Sequence, residues 1–176
     1  MIKLIDLLNE GVFDKGILKA VFLAGGPGSG KTYAARGLFG LPKKINLSYT
    51  GLKMVNYDSE FEKALNKFGF GTELDAMPDE VFADLTGFDK KTDQPVKGVH
   101  SGLRNYTKEL TKERQRLYEN GRLGMIIDGT GDDYAKIADN KSRLESIGYD
   151  CYMVFINTSM EIALDRNNKR KRITIR

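Results

Sequence analysis

The residues Gly25-Gly26-Pro27-Gly28-Ser29-Gly30-Lys31-Thr32 stand between a continuous apolar run at 20–24 and a helical pattern at 31–39. Glycines at 25, 26, 28 and 30 permit backbone conformations denied to other residues, and they leave no side chain between main-chain N–H groups and an incoming anion. A helix that begins directly afterwards adds its positive end. The spacing G-x-x-x-x-G-K-[ST] between a strand and a helix is that of a loop that cradles phosphates. Gly26, Gly28, Ser29, Gly30, Lys31, Thr32 and Tyr33 are therefore the candidate nucleotide-binding residues. Lys31 can reach the β- and γ-phosphates of ATP, and the Thr32 hydroxyl can ligate Mg²⁺.

Composition narrows the remaining possibilities. A chain of 176 residues with 40% hydrophobic and 30% charged side chains reads as a single domain over 1–176 with one core. One cysteine, Cys151, and one histidine, His100, exclude an intramolecular disulfide, a cysteine zinc site and a paired-histidine metal site. The apolar runs fall far short of the roughly 20 residues that span a bilayer. Residues 1–10 read as a short amphipathic helix, interrupted by Asp6 and Glu10 and so unlike a secretion signal. The expectation is a soluble, cytoplasmic protein with no membrane partner. The net charge of +4 is local: Arg166, Lys169, Arg170, Lys171, Arg172 and Arg176 hold it, and the rest of the chain has a slight excess of acids.

Short apolar runs at 20–24, 54–57, 124–127 and 152–156 have the unalternating character of strands covered on both faces. Helical patterns at 31–39, 59–68, 101–120, 134–147 and from 160 onward separate them. This alternation predicts an α/β domain whose mostly parallel sheet of four to five strands is flanked by helices. Residues 69–102 hold two of the four prolines and only a short helical candidate at 79–85, and read as an insertion, a lid or an acceptor-side segment.

In such a sheet, ligands bind beyond the carboxyl ends of the strands. Asp58 and Asp128 end the runs at 54–57 and 124–127. Asp128 can hold Mg²⁺ beside Thr32, and Asp58 can take a proton from an attacking hydroxyl. A helix cap or strand-end turn is the plainer role for each. Arg166 and Arg170, four apart, share one helix face, away from Ile162 and Ala163, and could close over phosphates or simply complete a basic helix end. Asp128-Gly-Thr-Gly131 fits a D-x-x-G pattern, but Asn140-Lys-Ser-Arg143 puts an arginine where a guanine-reading carboxylate is required, which argues against a GTPase.

Taken together, GGPGSGKT, the Asp58 strand end, Ile-Ile-Asp128-Gly-Thr and Arg166-Asn-x-x-Arg170 resemble the P-loop kinases of the polynucleotide kinase and zeta-toxin type, including small phage-like members. The resemblance covers the sheet-forming parts of the chain and implies a P-loop NTPase fold. It also implies that Lys31 and Thr32 bind ATP and Mg²⁺ with Asp128 near the metal, that Asp58 is the general base, and that Arg166 and Arg170 clamp the phosphates. Two departures stand out. Polynucleotide kinases tend to place an arginine three residues after the catalytic aspartate, where this chain has Phe61. Family members also usually continue past the lid arginines, whereas this sequence stops at Arg176, which reads as a minimal lid or a shortened chain.

The leading expectation is thus an ATP-dependent phosphotransferase acting on a hydroxyl-bearing acceptor, whether a nucleic-acid 5′-end, a nucleoside or a sugar. The alternatives are an ATP-binding interaction protein with a kinase fold but no acceptor site, and a nucleoside or nucleotide kinase. His100 reads as a surface histidine, Cys151 as core, and the tyrosines at 106, 118, 134, 149 and 152 as mostly half-buried packing residues.

Overall fold

A computed structural model describes residues 14, 16–42, 47–71, 73–96 and 102–169. His100, Arg170 and the helix expected at 1–10 lie outside these residues. Four strands, β1 (Lys19–Ala24), β2 (Lys53–Val55), β3 (Met125–Asp128) and β4 (Asp150–Phe155), form one all-parallel sheet in the order β2-β3-β1-β4. Helix α1 (Lys31–Phe39) follows β1, and α2 (Tyr57–Lys67) follows β2. A 3-10 turn (Leu74–Ala76), α3 (Asp79–Thr86) and α4 (Leu103–Asn120) then lead to β3. Helix α5 (Tyr134–Ser146) connects β3 to β4, and α6 (Met160–Asn168) follows β4. No helix among the described residues is long and apolar enough to cross a membrane.

Alternation along the strands sorts the core into two layers. Val21, Leu23, Met54 and Ile126 pack with Ala35 of α1 on one face. Ala20, Phe22, Val55 and Met125 pack with Leu144 of α5 and Tyr149 on the other, where Tyr118 of α4 also joins. A third cluster ties Phe61 and Leu65 of α2 to Leu74, Phe82 and Leu85, with Leu103 against it. Part of the segment expected to be an insertion is therefore structured: α3 extends the predicted helix by one residue and packs against α2 and the start of α4.

Two expectations need correction. The run at 54–57 yields a strand of only three residues, because Asn56 accepts a hydrogen bond from the Ser59 amide (2.9 Å) and starts α2 early. Asp58 thus stands in the first turn of a helix and not on a strand end. The run at 152–156 is a strand, but it is not buried. β4 lies at the sheet edge, and Tyr152, Met153 and Phe155 are all more than half exposed among the described residues. Cys151 is half-buried there and packs against the margin of the core. Of the five tyrosines expected to be packing residues, Tyr149 is buried and Tyr118 half-buried, while Tyr106, Tyr134 and Tyr152 are exposed.

Candidate functional site

Residues 25–30 leave the carboxyl end of β1, the strand flanked by β3 and β4, and both neighbours hold the start of this loop. The Gly25 amide donates to the Thr130 carbonyl (2.9 Å), and the Ile156 amide donates to the Ala24 carbonyl (2.8 Å). Gly28 and Gly30 have φ of +79° and +96°, a region that penalises any side chain. Gly30 precedes helix α1 as its cap residue, and the helix start has neither a side-chain cap nor an acid in its first turn, so its positive end is uncompensated there. The Ser29 hydroxyl oxygen is buried and has no hydrogen-bond partner among the described residues. Lys31 folds over the loop and donates from Nζ to the carbonyls of Gly25 (2.5 Å) and Gly26 (3.2 Å). Gly26, Thr32 and Tyr33 are exposed, Tyr33 to 84%.

Asp128 ends β3 in register with Leu23 of β1. Its Oδ2 accepts from Asn56 Nδ2 (2.5 Å), whereas its Oδ1 is buried and unpartnered among the described residues. Burial pushes the Asp128 carboxyl up to about 6; the positive charge of Lys31 opposes that rise, and the negative charge of Asp58 adds to it. These couplings bring Lys31, Asp58 and Asp128 into one electrostatic neighbourhood. The Asp58 side chain is exposed at its rim. No group of three or more His, Cys, Asp or Glu side chains able to hold a metal occurs among the described residues. A cation here would rely on one or two carboxylates and the oxygens of a bound phosphate, the donor set that suits Mg²⁺. The orphaned Asp128 oxygen fits such an ion.

Helix α6 lies across the loop. Thr158, just before it, donates to the Ser29 carbonyl (2.9 Å), and Arg166 reaches the same oxygen through a terminal guanidinium N–H (3.4 Å). A Cβ placed on Gly28 would run into the Ala163 carbonyl, so backbone meets backbone at this contact. Arg166 therefore shares the loop-facing side of the helix with Ala163, contrary to the expectation that the two face apart, while Ile162 is 48% exposed and does not pack inward. The reason is that the helix rests on a glycine loop, where only a small residue and a long reaching one fit. Arg143 lies within α5 and pairs with Glu119 through two bonds (2.5 and 2.8 Å), a tie between helices unrelated to base reading.

Asn56 and Thr158 are the site residues that sequence reasoning missed. The first had a signal, an Asn three residues ahead of Ser59 and four ahead of Glu60 at the head of a helical pattern. The second had none, because its partner is 129 positions away. An apolar cleft of about 590 Å³, walled by Phe68, Phe70, Leu85 and Tyr106, opens near the far end of α2 from Asp58. A scan against protein-family models finds no match to this chain, and neither does a search of curated proteins.

Proposed function

We propose that this chain is an ATP- and Mg²⁺-dependent phosphotransferase of the P-loop NTPase fold, which moves the γ-phosphoryl group to a hydroxyl acceptor. One observation supports this reading above the others. A buried carboxylate oxygen without a partner, on Asp128, lies within electrostatic range of Lys31 and Asp58 beside an uncapped glycine loop. A loop that merely turned the chain has no need of an orphaned carboxylate, which is costly to bury. The sequence likeness to polynucleotide kinases and zeta toxins points the same way.

The chain's own groups divide the work. The N–H groups at the start of α1 and the Lys31 ammonium bind the β- and γ-phosphates, so Lys31 exchanges its loop carbonyls for phosphate oxygens. Asp128 and Thr32 would hold Mg²⁺, which would neutralise charge on the phosphates when bound with the nucleotide. Asp58, exposed at the rim, accepts the acceptor's hydroxyl proton. The hydroxyl oxygen forms the new bond to the γ-phosphorus as the bond to the β–γ bridging oxygen breaks, and that electron pair leaves with ADP. Arg166 lies over the loop through Ser29, where it screens developing charge and keeps water out. Arg170 is assigned to the same clamp by the spacing of the sequence alone.

The test is γ-labelled ATP with Mg²⁺ against 5′-hydroxyl DNA and RNA ends, nucleosides, nucleoside monophosphates and amino sugars. Label should pass to one acceptor class. Lys31→Ala should lose turnover by orders of magnitude, and Asp58→Asn should slow transfer by about 10²-fold while retaining ATP binding. ATP binding with no transfer to any acceptor would overturn the phosphotransferase in favour of a nucleotide-binding interaction protein.

A further inference from the structure

Helix α4 is the longest helix among the described residues, 18 residues or about 27 Å, and it is buried along one side only. Arg104, Thr107 and Thr111 mark that side. On the outer side Tyr106, Leu110 and Leu117 are exposed, Leu117 to 67%. With Glu113 they fall on the three–four spacing of a coiled-coil seam, the pattern that buries against a second helix. At the amino end of the seam, Tyr106 leads into the apolar cleft of about 590 Å³, which Phe68, Phe70 and Leu103 also line. Phe68 is more than half exposed there.

The charges beside this seam are ordered. Glu109 precedes Leu110 and Arg116 precedes Leu117, so an acid and a base lie on the same flank, two helical turns apart. Each has a local, exposed partner, Lys112 for Glu109 (2.7 Å) and Glu113 for Arg116, and such pairs are worth little. A parallel copy of α4 would set two Glu113 carboxylates face to face. An antiparallel copy reverses the order. Tyr106 then meets Leu117, Leu110 meets the aliphatic stem of Glu113, and Glu109 meets Arg116. A surface that complements its own reversed order in both its apolar and its charged parts is suited to a two-fold contact.

We propose that two copies of this chain associate through α4, antiparallel about a two-fold axis midway between Leu110 and Glu113. Each contact then occurs twice. Leu117 of one copy enters the cleft beside Tyr106 of the other, and Glu109 of one pairs with Arg116 of the other. Two helices alone would make a narrow seam. The clefts widen it at both ends, because the axis lays each of them under the other copy's Leu117. A partner of unrelated sequence gives no reason for α4 to be matched to its own reversal. The dimer stands or falls separately from the phosphotransferase reading.

Sedimentation equilibrium of the full chain without nucleotide, from about 5 to about 200 μM, should show a monomer–dimer equilibrium. Leu117→Glu should raise the dissociation constant about tenfold or more, and so should Glu109→Arg and Arg116→Glu singly. The two reversals together should return it to within about threefold of the parent value, since every acid again meets a base. No contact within one chain gives that rescue, because residues two turns apart on a helix are about 10 Å apart. Far-UV circular dichroism checks that each variant is folded, as the exposure of all three positions leads one to expect. Phe155→Glu, on the exposed edge strand β4, should leave the constant unchanged. A monomer throughout the range, a dimer insensitive to Leu117→Glu, or reversals that do not rescue one another would overturn the inference. So would a dimer lost in Phe155→Glu, which would move the contact to β4.

Discussion

Asn56 and Asp128, 72 positions apart in the chain, are joined by a 2.5 Å hydrogen bond from the amide of one to the carboxylate of the other. The same Asn56 side chain caps α2 through its oxygen, so one residue fixes both the helix that presents Asp58 and the carboxylate of Asp128. The two roles separate by substitution. Asn56→Asp keeps a capping oxygen but loses the donor and sets a second carboxylate against the first, which should raise the Asp128 titration midpoint above about 6, as read by carboxyl NMR. Asn56→Ala loses both, and should cost about 1–2 kcal/mol in urea unfolding.

Asp128 also makes stability depend on pH in a direction opposite to that of most carboxylates. Its folded value of about 6 lies above the ordinary 3.8, so the native state binds the proton more tightly, and stability falls as pH rises between those values. The full effect is about 3 kcal/mol, reached above pH 6. Asp128→Asn keeps an acceptor for Asn56 and should remove this slope, so the nucleotide-free variant unfolds at higher urea than the parent at pH 7.5 but not at pH 4. It should at the same time lose Mg²⁺-dependent nucleotide affinity.

Gly28→Ala should be far more disruptive than its single methyl group suggests. The residue has φ of +79°, and its Cβ would collide with the Ala163 carbonyl. Either the loop or α6 must move. Thermal unfolding should show a loss of about 1–3 kcal/mol, and nucleotide binding should weaken with it. Gly37→Ala, on an exposed face of α1 with open space around it, should be neutral or slightly stabilising.

Thr158→Val tests the strap between α6 and the loop. It preserves shape and removes the donor to the Ser29 carbonyl, leaving only the longer Arg166 bond at 3.4 Å. The expected cost is about 1 kcal/mol. In stopped-flow displacement of a fluorescent nucleotide, release should quicken several-fold while association changes little.

The loop, the strands before and after it, and Asp128 were legible in the sequence because each is a local pattern: an apolar run, a glycine spacing, an acid at the end of a run. The start of α2 was misjudged because a side-chain cap overruled four residues of strand-like composition. The exposure of β4 was out of reach for a different reason. An apolar run states that a strand wants cover, and only the tertiary arrangement decides whether it gets it. The hydrogen bond that Arg104 donates to the Tyr57 hydroxyl joins residues 47 apart, a distance over which spacing is silent.

The pairing of Asp128 with Leu23 has a consequence for how this chain can vary. Side chains alternate along a strand, and Asp128 is on the loop's side because an even count separates it from Ile126. A one-residue slip of β3 against β1 would present Gly129 or Ile127 to the loop and turn the carboxylate toward α5. The same slip would carry Ile126 away from Ala35 and Met125 away from Leu144, so the packing that holds the two faces apart also keeps the carboxylate pointed at the loop.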